Sequence, residues 1–164
     1  YPSRWICDIP FLVRQEIRKM KVGRYLITSQ ISYSSTALHH NIDNTIPAGI
    51  FPAIELTIEK LYDPLRDKFP DITLTSFYRC GILNVMLKGS KTSQHCKGEA
   101  IDVNHPDLKS VFEWIKANLR FDQLIWEFGD DLQPEWVHVS YCKKLRGQIL
   151  KSIREHGAVK YLPF

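Results

Sequence analysis

The chain has 164 residues, 44% of them hydrophobic and 24% charged, with a formal net charge of +4. These values are those of one globular domain with a sizeable core, and they exclude a disordered or low-complexity chain. No run of about 18 apolar residues occurs, which excludes a transmembrane helix, and no repeat or Gly/Ser/Pro-rich linker divides the chain into several domains.

The first half of the chain predicts two helices and a strand. Pro10 opens a short amphipathic helix that runs through Met20, and residues 23–49 are irregular. Apolar residues that recur every three or four positions then predict a longer helix that ends near Phe69. These apolar residues are Phe51, Ile54, Ile58, Leu61 and Leu65. The alternating, β-rich segment 71–76 predicts a strand.

The second half predicts a helix followed by two strands. Pro106 occupies the favoured first position of the helix, with Asp107 near its positive end. The inner face of this helix is formed by Leu108, Val111, Phe112, Ile115 and Leu119. The strands are expected at residues 123–128 and 136–141. Because helices and strands do not alternate regularly, we predict an α+β fold, an antiparallel sheet covered by helices on one side.

Positive charge is concentrated at the C-terminal end. Six basic residues and one acid lie between residues 141 and 160, whereas residues 1–140 carry 16 basic and 17 acidic side chains. We expect the basic segment, 141–164, to form a helix with a solvated face, and attraction to a polyanion is the alternative. No nucleic-acid-binding motif accompanies the segment, so no nucleic-acid partner is expected.

Polar side chains share one face of two predicted strands. Side chains alternate along a strand, so Asp102 and His138 project from the same face if their strands are neighbours. The small Ala100 leaves space beside Asp102. His95 lies in the loop before the first strand, where Gly98 allows a turn that brings the imidazole over this face.

Two imidazoles and one carboxylate are the ligands of a zinc site whose fourth position stays open for water. We therefore predict that His95, Asp102 and His138 bind Zn²⁺. Zinc lowers the pKa of that water to about 7, which provides hydroxide at neutral pH. Hydrolysis also needs a base and a cation that stabilises the oxyanion.

Glu135 and Arg79 are the candidates for these two roles. Glu135 precedes His138 by three residues, and Pro134 places it in the turn before the strand, free to lean over the metal. Arg79 ends the strand that begins at Asp71, and its planar guanidinium suits an oxyanion or a substrate carboxylate.

Two motifs carry a resemblance to a known family. Ser-x-His-x-x-Gly-x-Ala-x-Asp is filled by residues 93–102, and Glu-x-x-His is filled by residues 135–138. Together they resemble the signatures of the M15 zinc peptidases, which include D-alanyl-D-alanine carboxypeptidases and phage L-alanyl-D-glutamate endopeptidases. The resemblance covers roughly residues 32–145 and is strongest to the phage-associated branch.

The resemblance implies the Hedgehog/DD-peptidase fold and a set of residue roles. These are Zn²⁺ binding by His95, Asp102 and His138, general base catalysis by Glu135, electrophilic stabilisation by Arg79, and substrate contact by Ser93 and Trp136. The implied substrates are peptidoglycan stem peptides, cut by a carboxypeptidase or an endopeptidase of the phage lysin type that acts at the bacterial cell wall. We expect a monomer.

Several alternatives stay open at this point. A zinc-containing cell-wall-binding or virion structural module needs the same fold without turnover, and an amidase uses the same chemistry on another bond. Glu127, on the neighbouring strand, is the second candidate for the base. Cys80 and Cys96 are expected to be free thiols, and a disulfide between Cys7 and Cys142 is open.

Overall fold

A computed structural model describes residues 20–164 of the chain. Cys7 and the helix predicted from Pro10 fall on the residues before this range. The described part opens with a small antiparallel pair, β1 (Lys21–Val22) and β2 (Leu26–Ile27). Helices α1 (Thr28–Ile31) and α2 (Ser35–His39) follow, so the segment predicted as irregular contains short regular elements.

The helix predicted from Phe51 is confirmed, with a local irregularity. A 3₁₀ turn (Ala48–Ile50) leads into α3 (Phe51–Thr57), a π-helical turn (Ile58–Tyr62) and α4 (Asp63–Lys68). The predicted inner residues Ile54, Ile58, Leu61 and Leu65 are fully buried. Pro64 follows the π turn and lacks the N–H that would continue regular helical bonding there.

Six strands form the main sheet. They are β3 (Thr73–Ser76), β4 (Ala100–Asn104), β5 (Gln123–Glu127), β6 (Trp136–Ser140), β7 (Gln148–Glu155) and β8 (Ala158–Pro163). Their order across the sheet is β3-β4-β6-β5-β7-β8, and every neighbouring pair is antiparallel except β5 and β7, which are parallel. Helices and a mostly antiparallel sheet confirm the predicted α+β class.

Two further helices connect the strands. Helix α5 (Gly81–Met86) and a 3₁₀ turn (Gln94–Lys97) lie between β3 and β4, and α6 (Leu108–Asn118) lies between β4 and β5. Helix α6 begins two residues later than predicted. Asp107 is its N-cap, because the Asp107 carboxylate accepts a hydrogen bond of 3.0 Å from the Ser110 N–H.

The two faces of the main sheet differ as strand alternation predicts. Ile101 and Val103 of β4, together with Val137 and Val139 of β6, are fully buried in the core with the apolar faces of the helices. The intervening side chains lie on the opposite face, which opens into a cavity. The sheet therefore separates a packed apolar layer from a polar one.

The helix predicted for the basic segment 141–164 is wrong. Strands β7 and β8 form a hairpin there, joined by the two-residue turn His156-Gly157. Both turn residues have positive φ, 50° and 78°, as a turn that matches the twist of a hairpin requires. Much of the positive charge is paired, through the ion pairs Lys151–Asp131, Arg154–Glu135 and Lys160–Glu155.

Within residues 20–164, no helix has the length and apolar character needed to cross the hydrocarbon layer of a membrane. Cys80, Cys96 and Cys142 are free thiols, each partly exposed. Burial raises the pKa of the Cys96 thiol, which makes it less reactive than an ordinary exposed thiol.

Candidate metal centre and cavity

The register of β4 and β6 brings the predicted metal ligands together. Asp102 lies directly opposite His138, and His138 Nδ1 is 2.8 Å from Asp102 Oδ1. His95, from the 3₁₀ turn, places its Nε2 3.2 Å from Asp102 Oδ1 and 3.2 Å from His138 Nδ1. The three atoms form a compact triangle on the polar face of the sheet.

Gly98 makes the turn that carries His95 possible. It adopts a left-handed conformation with φ of 70°. A Cβ atom at this position would lie 2.6 Å from Ile54 Cγ1 and 2.8 Å from Ile50 Cγ2. Both the backbone conformation and the close packing therefore favour glycine here, as the sequence predicted.

The ligand triangle fits a zinc ion. Tetrahedral ligands about 2.0–2.1 Å from zinc lie about 3.3 Å from one another. Two of the three distances between the ligand atoms match this spacing, and the 2.8 Å distance is that of a hydrogen bond between His138 and Asp102. Neutral imidazoles and an ionised carboxylate are also the donors that zinc prefers.

The environment of His95 prepares it for metal binding. Its Nδ1–H donates a 2.7 Å hydrogen bond to the Phe77 carbonyl, which leaves Nε2 unprotonated and aimed at the triangle. Complete burial lowers the pKa of His95, which favours the neutral, coordinating form. Burial alone would raise the pKa of Asp102, but His95 and His138 outweigh it and hold that pKa well below its usual value.

Arg79 lies beside the ligands, as predicted. Its Nη2 donates to Asp102 Oδ2, the carboxylate oxygen that does not face the imidazoles, and its Nε donates to Ser76 Oγ at 2.8 Å. The guanidinium is therefore fixed in the cavity wall by two side chains. This arrangement orients Asp102 and places a permanent positive charge next to the triangle.

Asn44 holds the loop that carries Arg79. Its Nδ2 donates to the carbonyl of Tyr78 at 3.1 Å, and its Oδ1 accepts from the N–H of Cys80 at 2.7 Å. Asn44 is buried and thus clamps the residues on both sides of Arg79. The sequence analysis gave no role to this side chain.

The structure does not bring Glu135 together with the metal ligands. Its carboxylate forms a bidentate ion pair with Arg154, with N–O distances of 2.9 and 3.1 Å. The side chain is 45% exposed and does not line the cavity. The Arg154 contact lowers the pKa of Glu135, so this carboxylate is a weaker base than usual.

Glu127, the second candidate for the base, lines the cavity. It lies on the cavity face of β5, two residues from Ile125, which is directly opposite His138. Only 6% of its surface is exposed. Burial raises the pKa of Glu127, partly offset by a 2.5 Å hydrogen bond that its Oε2 accepts from Ser152.

The three ligand candidates, Arg79 and Glu127 line one cavity of about 1130 Å³. Ser93 and Trp136, the predicted substrate contacts, lie in its wall, and the Trp136 ring packs edge to face on Phe128 with centroids 5.3 Å apart. Five basic side chains also line the cavity, together with the acids Glu99 and Asp122, and one of the five, Arg146, is paired with Asp122. The basic residues are Lys88, Lys97, Lys143, Lys144 and Arg146.

The sequence analysis missed the residues that β7 and β8 bring to the cavity. Leu150 and Tyr161 line it, and the buried Ser152 contacts Glu127 of its wall, all in the segment where a helix was predicted. The signal for the hairpin is the His156-Gly157 turn between β-branched, alternating residues. The parallel pairing of β7 with β5, which brings Ser152 to Glu127, has no such local signal.

Comparison with known proteins gives one family match. The family model described as Peptidase M15 matches residues 24–140, which is most of the chain. The matched segment contains the three ligand candidates, Arg79 and both acidic candidates for the base, and it ends with strand β6. No curated protein matches the chain.

Proposed function

This chain belongs to the M15 peptidase family, and we propose that it is a zinc-dependent peptidase that hydrolyses a peptide bond in the stem peptides of bacterial peptidoglycan. The observation that carries the proposal is the convergence of His95 Nε2, Asp102 Oδ1 and His138 Nδ1 in a cavity that also contains a buried acid and a fixed guanidinium.

His95, Asp102 and His138 are the residues that would hold the zinc ion, since their donor types and spacing fit it. A zinc ion bound there supplies a Lewis acid for the scissile carbonyl and lowers the pKa of a bound water to about 7. The second contacts of these side chains, to Phe77 and Arg79, keep the donor atoms in place.

Glu127 is the general base in this proposal. Its raised pKa brings the carboxyl closer to the pH range in which a base both accepts and returns a proton efficiently. The Glu127 carboxylate accepts a proton from the attacking water and then delivers it to the leaving nitrogen. The position of Glu127 in the cavity wall supports this role over Glu135, whose carboxylate is engaged by Arg154.

Arg79 stabilises the negative charge that develops on the carbonyl oxygen. Its contacts to Ser76 and Asp102 fix the guanidinium before substrate binds, so little reorganisation is needed during the reaction. We assign the remaining Nη1 group of Arg79 to the substrate oxygen.

The character of the cavity supports stem peptides as the substrate class. Stem peptides carry free carboxylates, and the lysines of the cavity lining can pair with them. Trp136 offers an aromatic wall for the peptide and Ser93 a hydroxyl for its backbone. From the sequence resemblance we further propose a phage lysin-type enzyme that acts as a monomer at the bacterial cell wall.

The test is digestion of purified peptidoglycan by the metal-loaded protein, followed by labelling of new amino termini and mass measurement of the fragments. We expect new amino termini, their loss with a chelator and their recovery when zinc is restored. The His138→Ala variant should be inactive because it removes one of three ligands.

Two other results would contradict the proposal. Retention on peptidoglycan without new amino termini indicates the non-catalytic wall-binding or virion module. Fragments whose masses match cleavage outside the peptide indicate an amidase that uses the same site.

A further inference from the structure

The C-terminal hairpin lies beyond the segment that matches the family, yet it belongs to the catalytic sheet. The match ends at residue 140, whereas β7 and β8 occupy Gln148–Glu155 and Ala158–Pro163. Strand β7 pairs in parallel with β5 over five residues. Residues of the hairpin are therefore fixed relative to Glu127 by backbone hydrogen bonds.

The strand registers place four residues in one row across the sheet. Trp136 is opposite Glu127, Glu127 is opposite Ser152, and Ser152 is opposite Tyr161. Directly opposed residues point to the same face of a sheet. Trp136, Glu127 and Tyr161 accordingly all line the cavity that contains the metal ligands.

The hydrogen bonds of Ser152 define its role in this row. Its Oγ accepts the N–H of Phe128 at 3.0 Å and donates its only proton to Glu127 Oε2 at 2.5 Å. Ser152 is completely buried, so water does not compete for these bonds. One oxygen of the Glu127 carboxylate is thus held in place, which orients the other oxygen.

Tyr161 extends the wall of the cavity beside Glu127. The residue is 53% exposed, so its ring is accessible to a ligand in the cavity. Partial burial raises the pKa of Tyr161, as does the charge of Glu127, and the phenol remains a hydrogen-bond donor at neutral pH.

Phe164 anchors the hairpin on the opposite face of the sheet. Its ring packs on Phe112 and Trp126, with centroid separations of 4.8 and 5.5 Å, and its N–H donates to the Ile149 carbonyl. The hairpin is therefore held to the core from one side, while on the other side Tyr161 lines the cavity and Ser152 contacts Glu127.

We propose that the hairpin β7–β8 completes the active site, with Ser152 as the positioning residue for the Glu127 carboxylate and Tyr161 as a substrate-binding residue whose phenol donates to a carbonyl or carboxylate oxygen of the bound peptide. This inference rests on the proposed function. It assigns catalytic support and substrate binding to a segment outside the matched part of the family.

The test compares kcat and KM of four variants on a soluble stem peptide. Ser152→Ala should lower kcat about tenfold without changing KM, because it removes the bond that orients the base and leaves the substrate contacts intact. Ser152→Thr should restore most of the loss. Tyr161→Phe should raise KM about tenfold with kcat unchanged. Lys160→Ala is the matched control, since Lys160 points to the other face and pairs with Glu155.

A second measurement does not depend on turnover. Titration of the metal-free protein with the same peptide, followed by tryptophan fluorescence, should show binding about tenfold weaker for Tyr161→Phe and unchanged for Ser152→Ala. The unfolding midpoints of Tyr161→Phe and Lys160→Ala should stay close to that of the wild type. Ser152→Ala should have a lower midpoint, because the Phe128 N–H and the Glu127 carboxylate each lose a buried partner, so the kinetics are measured at a temperature where every variant is folded.

The outcomes separate this inference from the proposed function. If the wild type cuts no stem peptide, the proposed function fails and the inference fails with it. If the wild type is active and both Ser152→Ala and Tyr161→Phe keep wild-type constants, only the inference is overturned. It is also overturned if the loss of activity in either variant disappears once the fraction of folded protein at the assay temperature is taken into account.

Discussion

Alternate residues of the same strands form the two faces of the main sheet. One face packs in the core, and the other faces the cavity. On the core face, Ile101 and Val139 are packed against helices with no exposed surface. On the cavity face, the neighbouring Asp102 and His138 are almost as buried but meet charged and polar partners. Because side chains alternate along a strand, each core-facing residue is next in sequence to a residue that faces the cavity.

The two faces of the sheet contribute differently to the stability of the fold and to the proposed chemistry. Burial of apolar side chains stabilises the fold, whereas burial of imidazoles and carboxylates costs free energy unless each is hydrogen-bonded. His95, Asp102 and Glu127 all have such partners, in Phe77, Arg79 and Ser152. We therefore expect substitutions on the two faces to have separable effects.

The largest expected effect is on the cavity face. Glu127→Gln should lower kcat by about 10²–10⁴-fold, because an amide does not accept the proton. The amide oxygen can still accept the Ser152 hydrogen bond, so the free energy of unfolding should not fall. Glu135→Gln is the matched control and should change kcat less than about twofold, because an exposed ion pair contributes little.

Steady-state kinetics on a soluble stem peptide, together with zinc content by mass spectrometry, check this pair. If Glu127→Gln is fully active and Glu135→Gln is inactive, then Glu135 is the general base. Its side chain would then have to move away from Arg154 during the reaction.

The core face is tested by Phe112→Ala. Phe112 is fully buried and packs edge to face on Trp126, with ring centroids 5.3 Å apart. We expect the free energy of unfolding to fall by about 3–5 kcal/mol, measured by urea denaturation, because the cavity left behind is only partly filled. Leu132→Ala, at an exposed position, is the control and should change it by less than about 0.5 kcal/mol.

The separation holds if kcat of the folded Phe112→Ala variant stays near the wild-type value. A parallel loss of kcat at temperatures where the variant is fully folded would show that the two faces are coupled.

Asp122 is an exception to this separation of the two faces, because it lines the cavity but is expected to stabilise the fold. Its carboxylate accepts from Arg146 Nε at 2.8 Å and Gln94 Nε2 at 3.0 Å. The Arg146 contact lowers the pKa of Asp122. A lowered folded-state pKa stabilises the protein above the unfolded value of about 3.9, and this contribution is lost as the pH falls through the folded-state pKa.

Asp122→Asn should therefore reduce the free energy of unfolding by about 1–3 kcal/mol at pH 7. The difference from the wild type should shrink as the pH decreases below about 4, where the carboxylate of the unfolded chain becomes protonated while that of the folded protein is still ionised. Urea denaturation at pH 7, 5 and 3 measures it. A constant difference across this range would show that the charge of Asp122 has no part in stability.

The last prediction concerns Gly98, which packs against Ile54 of the core in the turn that carries His95. Gly98→Ala should cost about 1–2 kcal/mol for the left-handed conformation, and the new Cβ should press on Ile54 in the core. Because the same turn carries His95, zinc affinity should fall too, which a competition titration with a chromogenic chelator measures. The matched control Gly147→Ala, also at positive φ but with open space around it, should leave zinc affinity unchanged.

Much of the site could be predicted because its signals are local. The alternation in residues 99–103 and 136–140 placed Asp102 and His138 on one face, and the strand register then confirmed that they are directly opposed. The helix from Phe51 was equally visible in its apolar period. In α6 the boundary shifted by two residues, because the Asp107 cap rather than Pro106 defines its start.

The choice between the two acids was beyond sequence reasoning. Spacing to His138 favours Glu135, but Arg154, 19 residues further along the chain, pairs with that carboxylate. Glu127 faces the cavity because of the β5–β6 register, and it is supported by Ser152 from a strand that pairs in parallel with β5. Such partners become neighbours only when distant strands assemble.

By itself, the sequence determined the α+β class, the inward and outward faces of β4 and β6, and the three candidate metal ligands. The tertiary structure alone decided that residues 148–163 pair as a hairpin on the main sheet, that Glu127 lines the cavity and that Glu135 does not. The physical reason is the sequence separation of the interactions involved. The local backbone sets the periodicity of side chains, whereas contacts between segments far apart in the chain set the partner of a strand or of a charge.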